Sequence, residues 1–593
     1  MIRWPVAFVL VGLLAAAVAY DRVSELPAQE VATGVVETTV ISPSLADPPR
    51  LDGAWYCPVG SSAPGSFARH EVQISNLSDT SAVANLSILT ADGPGPGQRI
   101  ELPPLSTERV ALADTQEVDV AGAVVEITGG SGVVGHSVET VQGVAEGPCA
   151  THASSEWYFA SGRTSFDSTQ YLALMNPFPE TAVFDIEFQA VGRSRKPGPL
   201  QGAFVKARSV RIIDVGEFVT REEALATTIT TKRGRLVVER LQLMDGQLGP
   251  AGAALQLGVP TPAPSWIFTA GRVHDGGDDL LTIFNPNDAA PLDTDDVEDT
   301  DGTSARASER EGFVTVAVEL WPNNPTDLSN YSVVTIEREI RPGTFAVIDL
   351  QAQAERFEFP LPYELGVNVT SAEGLPIVAE RWQFGTELQL EGLETDPVIG
   401  STVLDEIAPD EDPDNPDTPD PDADPADPDA EGGGEDDAAA PADDGAPGED
   451  GDDTGGVEDG VSQEPFVLQP PEPVDSGLPQ PIATQGLATS RGNELFSSRW
   501  VVPWVSMTGD STLIAVTAAL QEAVVEVRVL SDGQLVGPVR ATIPAGGRTI
   551  IPVSVAGPGA AVEITSNTPV SAEATVVVPD VTFDVVPAVP TLR

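Results

Sequence analysis

The residues of this chain whose types and spacing could do chemistry are few. Gly130-Ser131-Gly132-Val133-Val134-Gly135 matches GxGxxG, the glycine pattern that holds a dinucleotide pyrophosphate when it opens a helix. Here β-branched strand patterns flank the glycines, and the corresponding turns elsewhere in the chain read SAEG and SNTP. The glycines are therefore predicted to serve a turn, and we expect no cofactor site.

The same region contains half of a nucleophile elbow. Gly135-His136-Ser137-Val138-Glu139 lacks the final glycine of that motif, and a strand pattern runs through it. None of the four histidines (His70, His136, His152 and His274) belongs to a recognisable catalytic or metal-binding motif. The sequence predicts that the protein is not an enzyme and has no catalytic residue.

Two aspartate-rich tracts raise the question of calcium. Residues 293–301 read DTDDVEDTD, and residues 405–460 contain 24 Asp or Glu and no Lys or Arg. Neither tract has the loop spacing of an EF-hand, and the prolines of the longer tract favour an extended chain. We expect no specific metal site, while weak and diffuse cation binding stays open.

The two cysteines, Cys57 and Cys149, are predicted to form a disulfide. An even number of cysteines in an exported chain favours a bond, and both lie at the ends of one repeat. The alternative is two buried free thiols. No CxxC motif or Cys/His cluster suggests a metal site.

Composition limits the class of protein. The chain has 593 residues, 90 of them acidic and 31 basic, and its formal net charge is -59. Such acidity excludes nucleic acid as a partner. A hydrophobic content of 41% excludes a wholly disordered chain, and the length predicts three to five domains.

The N-terminus is predicted to direct export. Residues 1–20 contain an uncharged run from Trp4 to Tyr20 behind Arg3, and Ala17-Val18-Ala19 fits a cleavage site. A cleaved signal peptide and an uncleaved membrane anchor both stay open. Either one places the rest of the chain, from the linker at residues 21–49 onward, outside the cytoplasm.

The body of the chain is a repeat. Each copy begins at a tryptophan, of which the first three are predicted to anchor a core and the fourth is a looser match. Three copies continue to an asparagine that is predicted to satisfy backbone groups at a turn. These residues are Trp55, Trp157, Trp266 and Trp500, and Asn76, Asn176 and Asn285. Strands of alternating polarity follow, and each copy closes with a hairpin-like pair of strands. One short helix is expected near residues 221–227.

We therefore predict an all-β chain of tandem immunoglobulin-like antiparallel β-sandwich domains behind an N-terminal hydrophobic helix. The expected domains are residues 50–150, 151–258, 262–400 (with an acidic loop at 287–312) and 491–593. A disordered acidic linker at residues 401–490 is expected to hold the fourth domain away from the first three. Arg240 and Arg381, beside Glu239 and Glu380, are expected to pair across domain junctions.

The repeated motifs resemble a family of exported actinobacterial proteins of unknown function. They are W-Y/I-F-A/T-x-G at Trp157 and Trp266, Asn-Pro at Asn176 and Asn285, and V-x-E-R ending at Arg240 and Arg381. The resemblance implies tandem repeats behind an apolar helix at the cell envelope. It implies no activity and no functional residue.

These features predict a non-catalytic protein of the cell envelope, exported or anchored through its N-terminal helix, that acts as a structural, interaction or spacer array. Its partner would be an envelope protein or glycan, and its oligomeric state stays open. The alternative is a carbohydrate-binding or polysaccharide-assembly accessory protein, in which Trp321, Trp382 and Trp504 could stack on sugars.

Overall fold

The computed structural model describes most of the four repeats. The predicted N-terminal helix, the linker at residues 21–49, His274, and nearly all of the two acidic segments lie outside the described residues. Those residues are 52–247, 251–273, 278–288, 312–323, 334–357, 359, 363–386, 485–493, 496–505, 512–519, 521–531, 533–553, 560–578, 582–587 and 589–590. Within them the protein is all-β, with antiparallel sheets and one short α-helix.

The first domain has eight strands in two sheets. One sheet has the order β1-β6-β3-β4 and the other β5-β2-β7-β8. The strands are β1 (Asp52–Cys57), β2 (Arg69–Asn76), β3 (Ala82–Leu89), β4 (Pro94–Leu102), β5 (Thr107–Ala111), β6 (Gly122–Thr128), β7 (Gly132–Thr140) and β8 (Gly143–Pro148). A 3₁₀ turn, Leu112–Asp114, follows β5.

The second domain repeats this plan. Its sheets have the orders β12-β11-β15-β9, with β13 also pairing β11, and β14-β10-β16-β17. The strands are β9 (Glu156–Phe159), β10 (Ser168–Asn176), β11 (Ala182–Ala190), β12 (Arg193–Arg195), β13 (Gln201–Val205), β14 (Ser209–Asp214), β15 (Leu225–Arg233), β16 (Val237–Asp245) and β17 (Ala251–Leu257). The 3₁₀ turns are Gly198–Leu200 and Val215–Glu217.

The third domain contains the α-helix α1 (Leu350–Arg356), which Asp349 caps by accepting the Ala352 N–H at 2.8 Å. Its sheets are β18-β24-β21-β22, with β19 also pairing β24, and β23-β20-β25-β26. The strands are β18 (Ser265–Phe268), β19 (Arg272–Val273), β20 (Asp278–Asn285), β21 (Val314–Asn323), β22 (Val334–Ile340), β23 (Thr344–Asp349), β24 (Tyr363–Ser371), β25 (Val378–Thr386) and β26 (Gln485–Ser490).

The fourth domain is a single eight-stranded sheet system, because one long strand runs through both of its layers. The strands are β27 (Ser497–Val505), β28 (Thr512–Ala518), β29 (Ala523–Ser531), β30 (Gln534–Ile543), β31 (Arg548–Val553), β32 (Ala560–Val578), β33 (Thr582–Pro587) and β34 (Val589–Pro590). The hairpin turn expected at residues 566–569 is absent, since β32 continues through them.

The tryptophan that recurs in each repeat lies in the core of its domain. All four repeat tryptophans are buried, and the indole N–H of Trp157 donates to the carbonyl oxygen of Leu236 at 2.8 Å. Trp266 and Trp500 make the corresponding bonds to Ile377 and Val570. The predicted role of tryptophan as a core anchor is confirmed.

Three expectations differ from the structure. In the first domain the first strand pairs with the sixth (Trp55 faces Val125), whereas the first strand of an immunoglobulin domain pairs with the second. Residues near 221–227 enter β15, so the short helix lies instead at α1. Finally, β26 pairs with β25, with Thr386 facing Gln485. The acidic insertion therefore begins and ends inside the third domain, and does not separate the fourth domain from the others.

The four domains form a closed ring. The equivalent strands β8, β17, β26 and β33 lie against one another in that order, and β33 lies against β8. The fourth domain also packs into the core of the first, where Val501, Leu530 and Ala561 join Trp55 and Val72 in one cluster. The repeats thus have a pseudo-fourfold cyclic arrangement, the intramolecular counterpart of a symmetric oligomer.

Candidate functional site

Several buried ionisable side chains lie where one domain meets the next. Three of the four joints bring a glutamate from the hairpin strand of one domain to the segment that follows the repeat tryptophan of the preceding domain. We call these segments the tryptophan segments (residues 58–60, 160–162, 269–271 and 503–505). The strand positions are equivalent by register, since Glu239, Glu380 and Glu573 face Ala173, Thr282 and Ala515.

The joint between the second and third domains is a buried ion pair. Glu380 accepts the backbone N–H groups of Ala160 and Ser161 at 3.0 and 3.1 Å. Arg240 Nη1 donates to Glu380 Oε2 at 3.0 Å and to the carbonyl oxygen of Ser161. The guanidinium carbon lies 5.3 Å from the ring centroid of Phe159 and 5.1 Å from that of Trp382. The pair predicted across this junction is confirmed.

The joint between the third and fourth domains uses the same carboxylate position. Glu573 accepts the N–H groups of Thr269 and Ala270 at 2.5 and 2.8 Å, and Ser490 donates to its other oxygen. Burial raises the pKa of Glu573, opposed by these hydrogen bonds. Arg381 forms no direct pair with it, because its guanidinium is bidentate to Asp279 within its own domain.

The joint between the first and second domains replaces arginine by histidine. His136 occupies the position of Arg240, facing Val72 as Arg240 faces Leu172. His136 Nε2 lies 2.9 Å from Glu239 Oε1, and Glu239 Oε2 accepts the Val59 N–H at 3.1 Å. Pro58 has no N–H, so one backbone donor remains where the other joints have two.

The tautomers at this joint follow from its hydrogen bonds. His70 Nδ1 lies 2.7 Å from the carbonyl oxygen of Ala121, so this nitrogen must carry a hydrogen. Burial, with the adjacent His136, lowers the pKa of His70 to about 3. His70 Nε2 is therefore an acceptor for His136 Nδ1 at 3.0 Å, and His136 Nε2 is hydrogen-bonded to Glu239 Oε1.

The joint that closes the ring has a different chemistry. Gly135 stands at the glutamate position of the first domain, facing Gln73. A Cβ atom on Gly135 would lie 3.2 Å from Pro503 Cβ, and Gln73 Nε2 donates to the Pro503 carbonyl oxygen at 2.8 Å. Glycine thus admits the proline of the fourth tryptophan segment, and an apolar contact replaces the carboxylate.

The structure separates the motifs that resembled catalytic sites. The GxGxxG glycines begin in the turn between β6 and β7 and continue into β7, and open no helix. His136 is buried and bonded to His70 and Glu239, while Ser137, its neighbour on an alternating strand, is also buried. No accessible nucleophile results. Cys57 and Cys149 are joined by a disulfide, with Cα atoms 4.7 Å apart.

Of the three tryptophans considered for sugar stacking, Trp382 is buried beside Arg240, which corrects that expectation. Trp321 is partly exposed, and the side chain of Trp504 lies outside the described residues. Within the parts of the chain that the structure describes, no cluster of three His, Cys, Asp or Glu side chains could hold a metal ion.

The contacts of the His70–His136–Glu239 network were not predicted from the sequence. A signal for it was available, since alignment of the hairpin strands places His136 at the arginine of the V-x-E-R motif. The alignment does not reveal His70, because its contact depends on the pairing of β2 with β7. None of the helices in the described ranges is long and apolar enough to cross a membrane.

Comparison with known proteins adds a family match for part of the chain. Residues 136–311 match the model of a family of unknown function (DUF5719). This match contains His136, Glu239 and Arg240. No curated protein matches the sequence.

Two solved structures show weak similarity. The Anabaena sensory rhodopsin transducer is 22% identical, over 15% of this chain and 91% of its own, with a TM-score of 0.13. Streptomyces avermitilis α-L-rhamnosidase, in complex with L-rhamnose, is 9% identical, over 59% of this chain and 47% of its own, with a TM-score of 0.12. TM-scores this low carry no argument about fold or function.

Proposed function

We propose that this chain is a non-catalytic exported protein of the cell envelope that acts as a rigid interaction scaffold. The observation that carries the proposal is the place of its buried charges. Glu239, Glu380 and Glu573 all bind the backbone of a neighbouring domain. Buried charges at enzyme sites face a cleft, whereas these hold domains in one orientation.

Export is supported by the Cys57–Cys149 disulfide, because disulfides persist in oxidising compartments. The apolar run at residues 4–20 supports the same location. We also propose that the chain is a member of an exported actinobacterial family and that its N-terminal helix attaches it to the envelope. The fourth domain contacts both the third and the first. We therefore propose a compact scaffold in preference to an extended spacer.

A co-sedimentation assay tests the scaffold proposal. The purified protein is mixed with isolated actinobacterial cell walls, in the presence of calcium or of a chelator. We expect saturable binding that soluble wall glycan does not displace and that pretreatment of the walls with protease abolishes. Absence of binding would contradict an envelope scaffold.

The same assay addresses the carbohydrate alternative. Displacement by soluble wall glycan would favour a carbohydrate-binding protein over a scaffold that binds protein. In that case Trp321→Ala, at the partly exposed tryptophan, should weaken binding, and Trp382→Phe, at the buried one, should not. Loss of binding with chelator alone would instead indicate cation bridging by the acidic tracts.

A further inference from the structure

We propose that the protein binds a small monovalent inorganic anion, such as chloride or bromide, between Arg240 and Gln170 at the joint of the second and third domains. Both side chains are fully buried. The proposal is independent of the scaffold function, since it rests on hydrogen-bond donors inside the protein.

The equivalent pair of positions is directly bonded in the two neighbouring domains. In the third domain Asp279 binds both Nε and Nη2 of Arg381. In the first domain His70 and His136 are 3.0 Å apart. In the second domain the pair is Gln170 and Arg240, diagonal neighbours on β10 and β16.

The Nε/Nη2 edge of Arg240 has no hydrogen-bond partner among the described residues. Nη1 is engaged by Glu380 and Ser161, whereas Nε and Nη2 are buried without an acceptor. This Nε/Nη2 edge is the one with which Arg381 binds a carboxylate. A guanidinium fork of this kind fits an anion.

Other buried groups around Arg240 are also without partners in the described part of the chain. They are the indole N–H of Trp382, both polar atoms of Gln170, and Oε1 of Gln256, which faces Arg240 across β16 and β17. Together with Arg240 Nε and Nη2, four donor atoms without a partner stand against two acceptor atoms. A water molecule would add donors as well as acceptors, whereas an anion accepts only, so the surplus of N–H groups favours an anion.

The charges are consistent with this choice. Arg381 binds the carboxylate of Asp279 and interacts electrostatically with that of Glu573. Arg240 has Glu380 on one side and the neutral amide of Gln170 on the other. An anion beside Gln170 would give Arg240 a second anionic neighbour. Arg381 already has two, the carboxylates of Asp279 and Glu573.

Crystals of the full chain grown in sodium bromide test the proposal directly. We expect an anomalous bromide peak within hydrogen-bonding distance of Nε and Nη2 of Arg240. Density for water alone, with no anomalous signal, would overturn the proposal.

A solution experiment keeps the test independent of crystals. The melting temperature is measured against bromide concentration, with gluconate holding the ionic strength constant. We expect it to rise with bromide in the unmodified protein and not in Gln170→Glu, whose carboxylate would take the place of the anion. Gln189→Glu, which makes the same charge change on β11, should retain the rise of melting temperature with bromide. An equal dependence in all three proteins would contradict the site.

Discussion

At the residue scale, one carboxylate at an equivalent strand position joins three pairs of domains, and its partners vary. Arg240 pairs with Glu380, His136 is hydrogen-bonded to Glu239, and Glu573 accepts from N–H and O–H donors. Buried ion pairs seldom add much net stability, because desolvation offsets their attraction. Their effect is to fix the relative orientation of the domains, since an unpaired buried charge is costly.

Removal of Glu380 should therefore be strongly destabilising. Glu380→Ala leaves Arg240 without its buried counter-ion and two backbone N–H groups without an acceptor, and we expect a loss of about 3–5 kcal/mol in the free energy of unfolding. Urea denaturation measures the loss. The matched control is Glu101→Ala, whose partner Arg99 is largely exposed and which should cost less than about 1 kcal/mol. Equal effects of the two variants would disprove the account of the joint.

Acid should weaken the first joint through His70. The folded pKa of about 3 lies below the ordinary value of 6.5, so the unfolded chain binds more protons below pH 6.5. The stability contributed by neutral His70 is complete above that pH and is lost as the pH falls towards 3, by up to about 1.4 kcal/mol per pH unit. Glutamine stands at the equivalent position of the second domain, so His70→Gln is a conservative change. It removes the pH-dependent contribution of His70 to stability.

Thermal denaturation between pH 4 and 7.5 compares the two proteins. We expect the melting temperature of the unmodified protein to fall more steeply with acid than that of His70→Gln. Parallel curves would mean that His70 does not titrate differently in the folded and unfolded states. The partly buried His152, whose pKa is lowered to about 4 by burial and nearby arginines, remains in both proteins and cancels in the comparison.

At the element scale, the repeat asparagine connects strands that are distant in sequence. Asn176 Nδ2 donates to the carbonyl oxygens of Glu180, Val205 and Lys206, and its Oδ1 accepts the Phe178 N–H. Asn76 and Asn285 make corresponding bonds. The predicted role of this residue at a turn is confirmed, and it also ties that turn to the end of β13.

Asn176→Asp should destabilise the second domain by about 1–3 kcal/mol, because a carboxylate cannot donate to those carbonyl oxygens. We expect Asn176→Ala to cost no more than Asn176→Asp, since alanine avoids repulsion between like partial charges. Chemical unfolding measures both variants. A smaller cost for Asn176→Asp than for Asn176→Ala would show that the donor bonds are unimportant.

The disulfide spans much of the first domain. Its half-cystines are separated by 92 residues, so the chain-entropy model gives a stabilisation of about 4–5 kcal/mol. Cys57→Ser/Cys149→Ser should lower the free energy of unfolding by this order, and a reducing agent should have the same effect on the unmodified protein. A double variant as stable as the unmodified protein would rule out this stabilisation.

Local patterns in the sequence predicted the elements well and their assembly poorly. The alternating polarity of β11 follows from which of its faces is buried, and the pattern of apolar residues shows this. The repeat tryptophans and asparagines are likewise recognisable from their spacing along the chain. The pairing of Thr386 with Gln485 does not, because an acidic insertion separates two strands of one sheet. The contact of Gly135 with Pro503 is equally distant in sequence, and a glycine carries no signal of its partner.

At the scale of the whole molecule, the four described domains form a ring and not a string. Three joints use a glutamate, and the fourth uses Gly135 against Pro503 with a hydrogen bond from Gln73. Because the fourth domain supplies core residues to the first, ring closure is part of folding. The contact between the first and last domains therefore distinguishes a ring from a string of domains.

Cross-linking in the double variant Gly135→Cys/Pro503→Cys tests this claim most directly. The Cβ positions lie close to the separation that a disulfide requires. A protease site placed within residues 387–484 then allows the chain to be cut between the two cysteines. The ring predicts that the fragments stay together on a non-reducing denaturing gel and separate on reduction, while each single variant gives separate fragments throughout. Separate fragments from the oxidised double variant would contradict the closed ring.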